Sequence, residues 1–108
     1  MVNEKMAEIL KQRESENILA KLKKEKAYLQ EKYNVKKLGI FGSIVRNEQS
    51  QKSDIDILVE FSEPISLFKF IEMEEYLGKV LTKKVDVVMK KALKPRLKKQ
   101  ILKEVKYL

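Results

Sequence analysis

A chain of 108 residues is long enough for one domain with one modest core and too short for two. It contains no cysteine and no histidine. That excludes disulfides, zinc–thiolate sites, histidine metal ligands and histidine general bases, so any catalysis runs on carboxylates, hydroxyls, Lys, Arg or a bound metal. The net charge of +8 is spread unevenly, with an excess of 4 positive charges over residues 1–38, 5 negative over 39–78 and 9 positive over 79–108.

Residues 3–13 are expected to form a short helix, and Ser15 to cap a second one running to about Tyr33, where Asn34 is a stop signal. In the second helix Ile18, Leu19, Leu22, Leu29 and Tyr33 share a face. Met6, Ile9 and Leu10 leave the first helix needing a cover, which suggests a docking role for the N-terminal segment. Residues 35–41 read as a strand ending at Gly42, and residues 43–52 as a polar connection that opens with one helical turn through Ile44 and Val45. Residues 54–61 are a second strand, apolar enough to be central and covered on both faces. Pro64 is expected in the first turn of a helix over about 65–81 that buries Phe68 or Phe70, Ile71, Leu77 and Leu81, with Gly78 a candidate early end. Val85 to Met89 is a third strand, and Pro95 opens a terminal helix with Leu97, Ile101, Leu102, Val105 and Leu108 as its apolar stripe.

These elements describe one α/β (α+β) domain with a short mixed sheet of three or four strands flanked by helices. Residues 1–34 supply the N-terminal helices, 35–89 the sheet and 93–108 a basic C-terminal helix. The short link between the first two strands favours an antiparallel pair, and the helix between the second and third favours a right-handed parallel crossover. That topology brings Gly42, Ser43, Asp54, Asp56 and Asp86 to one edge of the sheet. No apolar run approaches the roughly 20 residues of a membrane helix and no signal-peptide core is evident, so a cytoplasmic location is expected.

In "IFGSIVRNEQSQKSDIDILVEF", Asp54 and Asp56 sit on the same face of a strand, about 7 Å apart at Cα. Two carboxylates that close repel unless a cation separates them. Asp86, inside the apolar run "KVDVV", is a third candidate ligand. An all-oxygen set suits Mg²⁺ or Mn²⁺ rather than zinc, and Mg²⁺ commonly keeps substrate phosphates among its ligands. Gly42 permits close backbone approach, backbone N–H groups and the Ser43 hydroxyl can bind phosphate oxygens, and Arg46 can add a charge-assisted contact. Each feature alone is ordinary: a Gly-Ser turn, a surface arginine, a capping aspartate. The combination is specific, with Gly-Ser after a strand, ten intervening residues, Asp-x-Asp opening a second strand, and Asp in a third.

With these motifs, in "LGIFGSIVRNEQSQKSDIDILVE" and on through "KKVDVVMKKALKPRLKKQILKEVKYL", the sequence resembles the minimal nucleotidyltransferases (MNT proteins) of the polymerase-beta-like superfamily. The resemblance implies two-metal nucleotidyl transfer from a nucleoside triphosphate, ATP by family habit, with two Mg²⁺ ions. Gly42 and Ser43 match the triphosphate-binding pair, Asp54 and Asp56 the metal-binding pair, Asp86 the third carboxylate, and Arg46 the arginine of Gly-Ser-x-x-Arg. Asn47-Glu48 stands where members often have Gly before Glu. The family also implies a role as antitoxin to a HEPN-domain toxin, typically a ribonuclease, by AMP transfer to a toxin tyrosine. Competing readings are an antitoxin that neutralises by binding alone, a nucleotidyltransferase with another acceptor, and a nucleic-acid module using the lysine-rich C-terminal helix. The simplest account of those lysines is a solvated helix face, so nucleic acid is not expected as a direct substrate.

Overall fold

The computed structural model describes residues 3–50 and 52–108. Met1 and Val2 of the expected N-terminal segment, and Gln51 of the polar connection, lie outside the described residues.

One helix, α1 (Glu4–Tyr33), replaces the two expected. Its cap is Asn3, whose side chain accepts the Met6 N–H at 2.8 Å, and Asn34 closes it in the left-handed conformation at φ 56°. Ser15 does not start a helix. Its hydroxyl lies between the Lys11 carbonyl at 3.0 Å and the nearer Ile44 carbonyl at 2.8 Å, which share its one proton, an arrangement that lets a serine sit inside a helix. Ile18, Leu22, Leu29 and Tyr33 are buried from one face, with Leu19 packed at its margin. The turns before Ser15 leave Met6, Ile9 and Leu10 exposed.

The sheet has the order β3-β2-β1-β4. Strand β1 (Val35–Phe41) pairs antiparallel with β2 (Ile55–Phe61), which pairs parallel with β3 (Val85–Met89). Leu38, Ile40, Ile57, Val59, Val85 and Val87 join Leu22, Leu29 and Tyr33 in the buried core. Because side chains alternate, Asp56, Leu58 and Glu60 of β2 belong to the opposite face. The two-residue strand β4 (Lys106–Tyr107) pairs antiparallel with Gly39 and Ile40 and was not anticipated as an element. Gly39 makes room for it, since a Cβ there would come within 2.7 Å of Val105 Cγ2.

Helix α2 (Leu67–Leu81) starts two residues late because Ser66 is its cap, accepting the Lys69 N–H at 3.2 Å, and Pro64 stands outside. Phe70 is the phenylalanine that packs inward, edge-on to Phe61, whereas Phe68 and Ile71 are exposed. Met73, Leu77 and Leu81 are buried. Gly78 does not end the helix, and its carbonyl accepts the Lys83 N–H beyond the left-handed cap residue Thr82. Helix α3 (Pro95–Glu104) begins at the expected proline but buries no residue fully. Leu97 is half exposed, and Val105 and Leu108 lie past the helix end, where the chain turns into β4. None of the described helices is long and apolar enough to cross a membrane.

Candidate active site

The antiparallel β1–β2 pair and the parallel β2–β3 pair bring the end of β1 and the starts of β2 and β3 to one sheet edge. Phe41, Asp56 and Asp86 form a single row there, each the register partner of the next. Adjacent strands lie about 4.8 Å apart, so Asp56 and Asp86 are near neighbours. Asp54 stands one residue before β2, with Lys84 Nζ 4.0 Å from its Oδ2.

Asp56 is half-buried. Burial raises its carboxyl above the ordinary carboxylate range, Asp86 and then Asp54 push it further the same way, and the Arg46 guanidinium opposes them. The three aspartates therefore act on one another electrostatically. Among the described residues, however, no three acidic side chains stand close enough together to hold a metal ion as they are.

Gly42 follows Phe41 and opens a short 3₁₀ turn (Gly42–Ile44). Its φ of +79° is the left-handed region, and a Cβ there would collide with the Asp56 carboxylate. Two independent constraints thus demand glycine at this position. The turn lies directly over Asp56 and presents Ser43 as its second residue.

The polar connection is fastened to α1. Ile44 accepts a hydrogen bond at 2.8 Å from the buried Ser15 hydroxyl, and the buried Gln49 donates through Nε2 to the Lys11 carbonyl at 2.9 Å. Ser15, expected as a cap, and the Lys11 carbonyl hold the turn in place. Gln49 and Ser15 looked like ordinary loop and cap residues, and only the fold shows both among the buried polar groups.

Arg46 points across the site rim between two acids. Its Nε bonds Glu48 Oε2 at 3.0 Å, and its Nη1 reaches Glu104 Oε2 at 2.9 Å and Oε1 at 3.1 Å. These partners raise the guanidinium above its ordinary value, Glu48 most. Glu104 Oε1 also accepts the Gly42 N–H at 2.9 Å. Glu104 was not singled out from sequence, yet it carried a signal: it is the one acid after Asp86. It also occupies the last turn of a helix, where a carboxylate faces the negative end of the helix dipole.

The arrangement combines an acidic row, a glycine-opened backbone turn against it, and an arginine paired with two acids. Carboxylates of this kind are the ligand type that hard cations take, and backbone turns of this kind are a common cradle for phosphate. Residues 19–108 match the family of the nucleotidyltransferase domain. The protein adenylyltransferase MntA of Thermococcus cleftensis is 51% identical over 94 residues, which span 87% of this chain and 92% of that protein. Among solved structures, a minimal nucleotidyltransferase superposes with a TM-score of 0.67 and 31% identity, covering 94% of this chain and 95% of that one. A chain of a toxin–antitoxin complex with AMP-PNP superposes with a TM-score of 0.66 at 26% identity, covering 85% of this chain and 70% of that one.

Proposed function

Because the chain belongs to the nucleotidyltransferase-domain family, we propose that it transfers AMP from ATP to a tyrosine hydroxyl of a HEPN-domain toxin and so acts as that toxin's antitoxin. The observation that carries the reading is the Asp56–Asp86 row, with Asp54 beside it, beneath a Gly42–Ser43 turn that lies so close to Asp56 that position 42 has no space for a side chain. Similarity to the protein adenylyltransferase MntA and to a chain of a toxin–antitoxin crystallised with AMP-PNP supports the choice of ATP, of a protein acceptor and of a toxin partner.

The donor set fits divalent cations. It is all carboxylate; burial first, and then the Asp86 and Asp54 charges, raise the Asp56 carboxyl, and a dication would relieve the repulsion among the three. Asp54, Asp56 and Asp86 would hold two Mg²⁺ ions, with Mn²⁺ as a substitute. When bound, these supply charge neutralisation at the leaving pyrophosphate and acidify the attacking hydroxyl. Waters and substrate oxygens would complete the octahedron of a Mg²⁺ ion held there.

The remaining work belongs to the chain. The Ser43 hydroxyl and the turn's backbone donors hold the triphosphate, since the Gly42 N–H is already given to Glu104. Arg46 places positive charge at the rim. The tyrosine oxygen attacks the α-phosphorus in line, the new P–O bond forms as the bond to the bridging oxygen breaks, and pyrophosphate departs. Asp86, exposed on the edge strand β3, is first a metal ligand in this reading and second an acceptor for the hydroxyl proton. Strand β3 is an edge of the sheet, which suits an acceptor delivered by a protein.

Incubating the HEPN partner with labelled ATP and Mg²⁺ should label its tyrosine, and Asp54→Asn with Asp56→Asn should abolish the label. Transfer that survives the double substitution defeats the assignment. If instead the double variant still neutralises the toxin in full, binding alone is the antitoxin mechanism.

A further inference from the structure

We infer that Glu104 is a positioning residue for nucleotide binding: from the end of α3 it fixes both the Gly42–Ser43 turn and the plane of the Arg46 guanidinium before a triphosphate arrives. The inference rests on the nucleotide-binding reading above and extends it to a residue 48 positions from Asp56 in the chain.

Three observations carry it. Glu104's side chain is only 20% exposed, and its carboxylate accepts one backbone donor and both contacts from Arg46 Nη1. A carboxylate sheltered to that degree and held through three contacts from two donor nitrogens is restrained in its orientation. Second, the donors it takes belong to the phosphate-facing turn and to the rim arginine, so one group couples the two. With Glu48 on Nε and Glu104 on Nη1, two contacts at different edges of the planar guanidinium set its orientation at the rim. Third, an acid in the last turn of an otherwise basic helix is misplaced for that helix's own stability, so its placement answers to the contact it makes.

Glu104 does not contact phosphate in this account. It removes the Gly42 N–H from the donor set and leaves Ser43 to lead it. The same contact ties the site to β4, because Val105 and Lys106 follow directly and β4 pairs with β1 just before the turn.

The test is binding of AMP-PNP with Mg²⁺ to the full chain by calorimetry, with AMP as the comparison ligand. Glu104→Ala is expected to weaken AMP-PNP on the order of tenfold while AMP affinity stays within twofold, because the turn and Arg46 serve the outer phosphates. Glu104→Gln keeps an acceptor for the Gly42 N–H and loses the charge against Arg46, so a loss of about threefold is expected. In an Arg46→Gln background the further loss on Glu104→Ala should shrink, which marks the pair as coupled. Should Glu104→Ala fail to fold, Glu104→Gln decides. Wild-type affinity in the glutamine variant overturns the inference, and tighter binding overturns it in favour of a carboxylate that competes with phosphate. Equal losses for AMP and AMP-PNP overturn it in favour of a merely structural role. If the wild-type chain binds no triphosphate, the nucleotide reading itself fails.

Discussion

Replacing Gly42 with alanine probes the site's geometry through a single methyl group. The residue sits at φ +79°, and a left-handed backbone costs a residue with a Cβ about 1–2 kcal/mol. The new methyl also lands on the Asp56 carboxylate, and forcing a methyl into an occupied space adds about 1–3 kcal/mol. The expected loss is therefore about 2–5 kcal/mol, against a total of about 5–15 kcal/mol for a small domain. Gly78→Ala is the control. It lies inside α2, its Cβ would meet Lys83 O at an ordinary 3.5 Å, and it should stabilise by roughly 0.5–1 kcal/mol. Urea denaturation of both variants gives the two free energies, and AMP-PNP titration of folded Gly42→Ala should show affinity lost with the displaced Asp56. If Gly42→Ala costs less than about 1 kcal/mol and binds nucleotide normally, the account of the turn resting on Asp56 is wrong.

Other outcomes follow from the same contacts. Asp56→Asn should raise the melting temperature of the metal-free chain at neutral pH while removing transfer. The carboxyl's raised pKa means the folded state binds its proton more readily, so Asp56 destabilises the fold once pH rises through that raised value, and the penalty is absent below the ordinary carboxylate value. Melting curves at pH 7 and in acid, with and without Mg²⁺, check this; an asparagine variant no more stable than wild type at pH 7 contradicts it. Ser15→Ala should cost about 1 kcal/mol by urea denaturation, through the lost bond to Ile44, and should weaken nucleotide binding by loosening the turn. Tyr33 donates to Glu72 Oε2 at 2.8 Å, and burial followed by that bond pushes its hydroxyl up to about 12. Its share of stability is whole below pH 10 and is lost as pH rises from 10 to about 12, so Tyr33→Phe should remove a phenolate absorbance step near pH 12 and flatten the alkaline fall in stability.

The sheet was legible because its signals are local. The apolar runs at 35–41, 54–61 and 85–89 stand between turn residues, and connection length alone distinguishes the antiparallel from the parallel pair. Asp54, Asp56 and Asp86 could be grouped because the strands carrying them could be ordered. The helices were less readable at their ends. Ser15 resembles a cap in sequence, but its partner in the polar connection, Ile44, lies 29 residues away. Phe68 and Phe70 are chemically equal until the phase of α2 against β2 is known. Strand β4 is two residues long, too short for any periodicity, and it exists because Gly39 admits it. Glu104 shows the same limit most clearly. Its carboxylate reaches Gly42 and Arg46 across about sixty residues, and nothing local to α3 predicts that meeting.

The central claim is that the edge row Asp54, Asp56 and Asp86 beneath the Gly42–Ser43 turn binds metal and triphosphate together. Crystals grown with Mn²⁺ and AMP-PNP test it directly through anomalous scattering. The account predicts manganese at these three carboxylates, with the phosphate chain against Ser43 and the turn. Nucleotide bound elsewhere, or manganese absent from the three aspartates while nucleotide is bound, would contradict it.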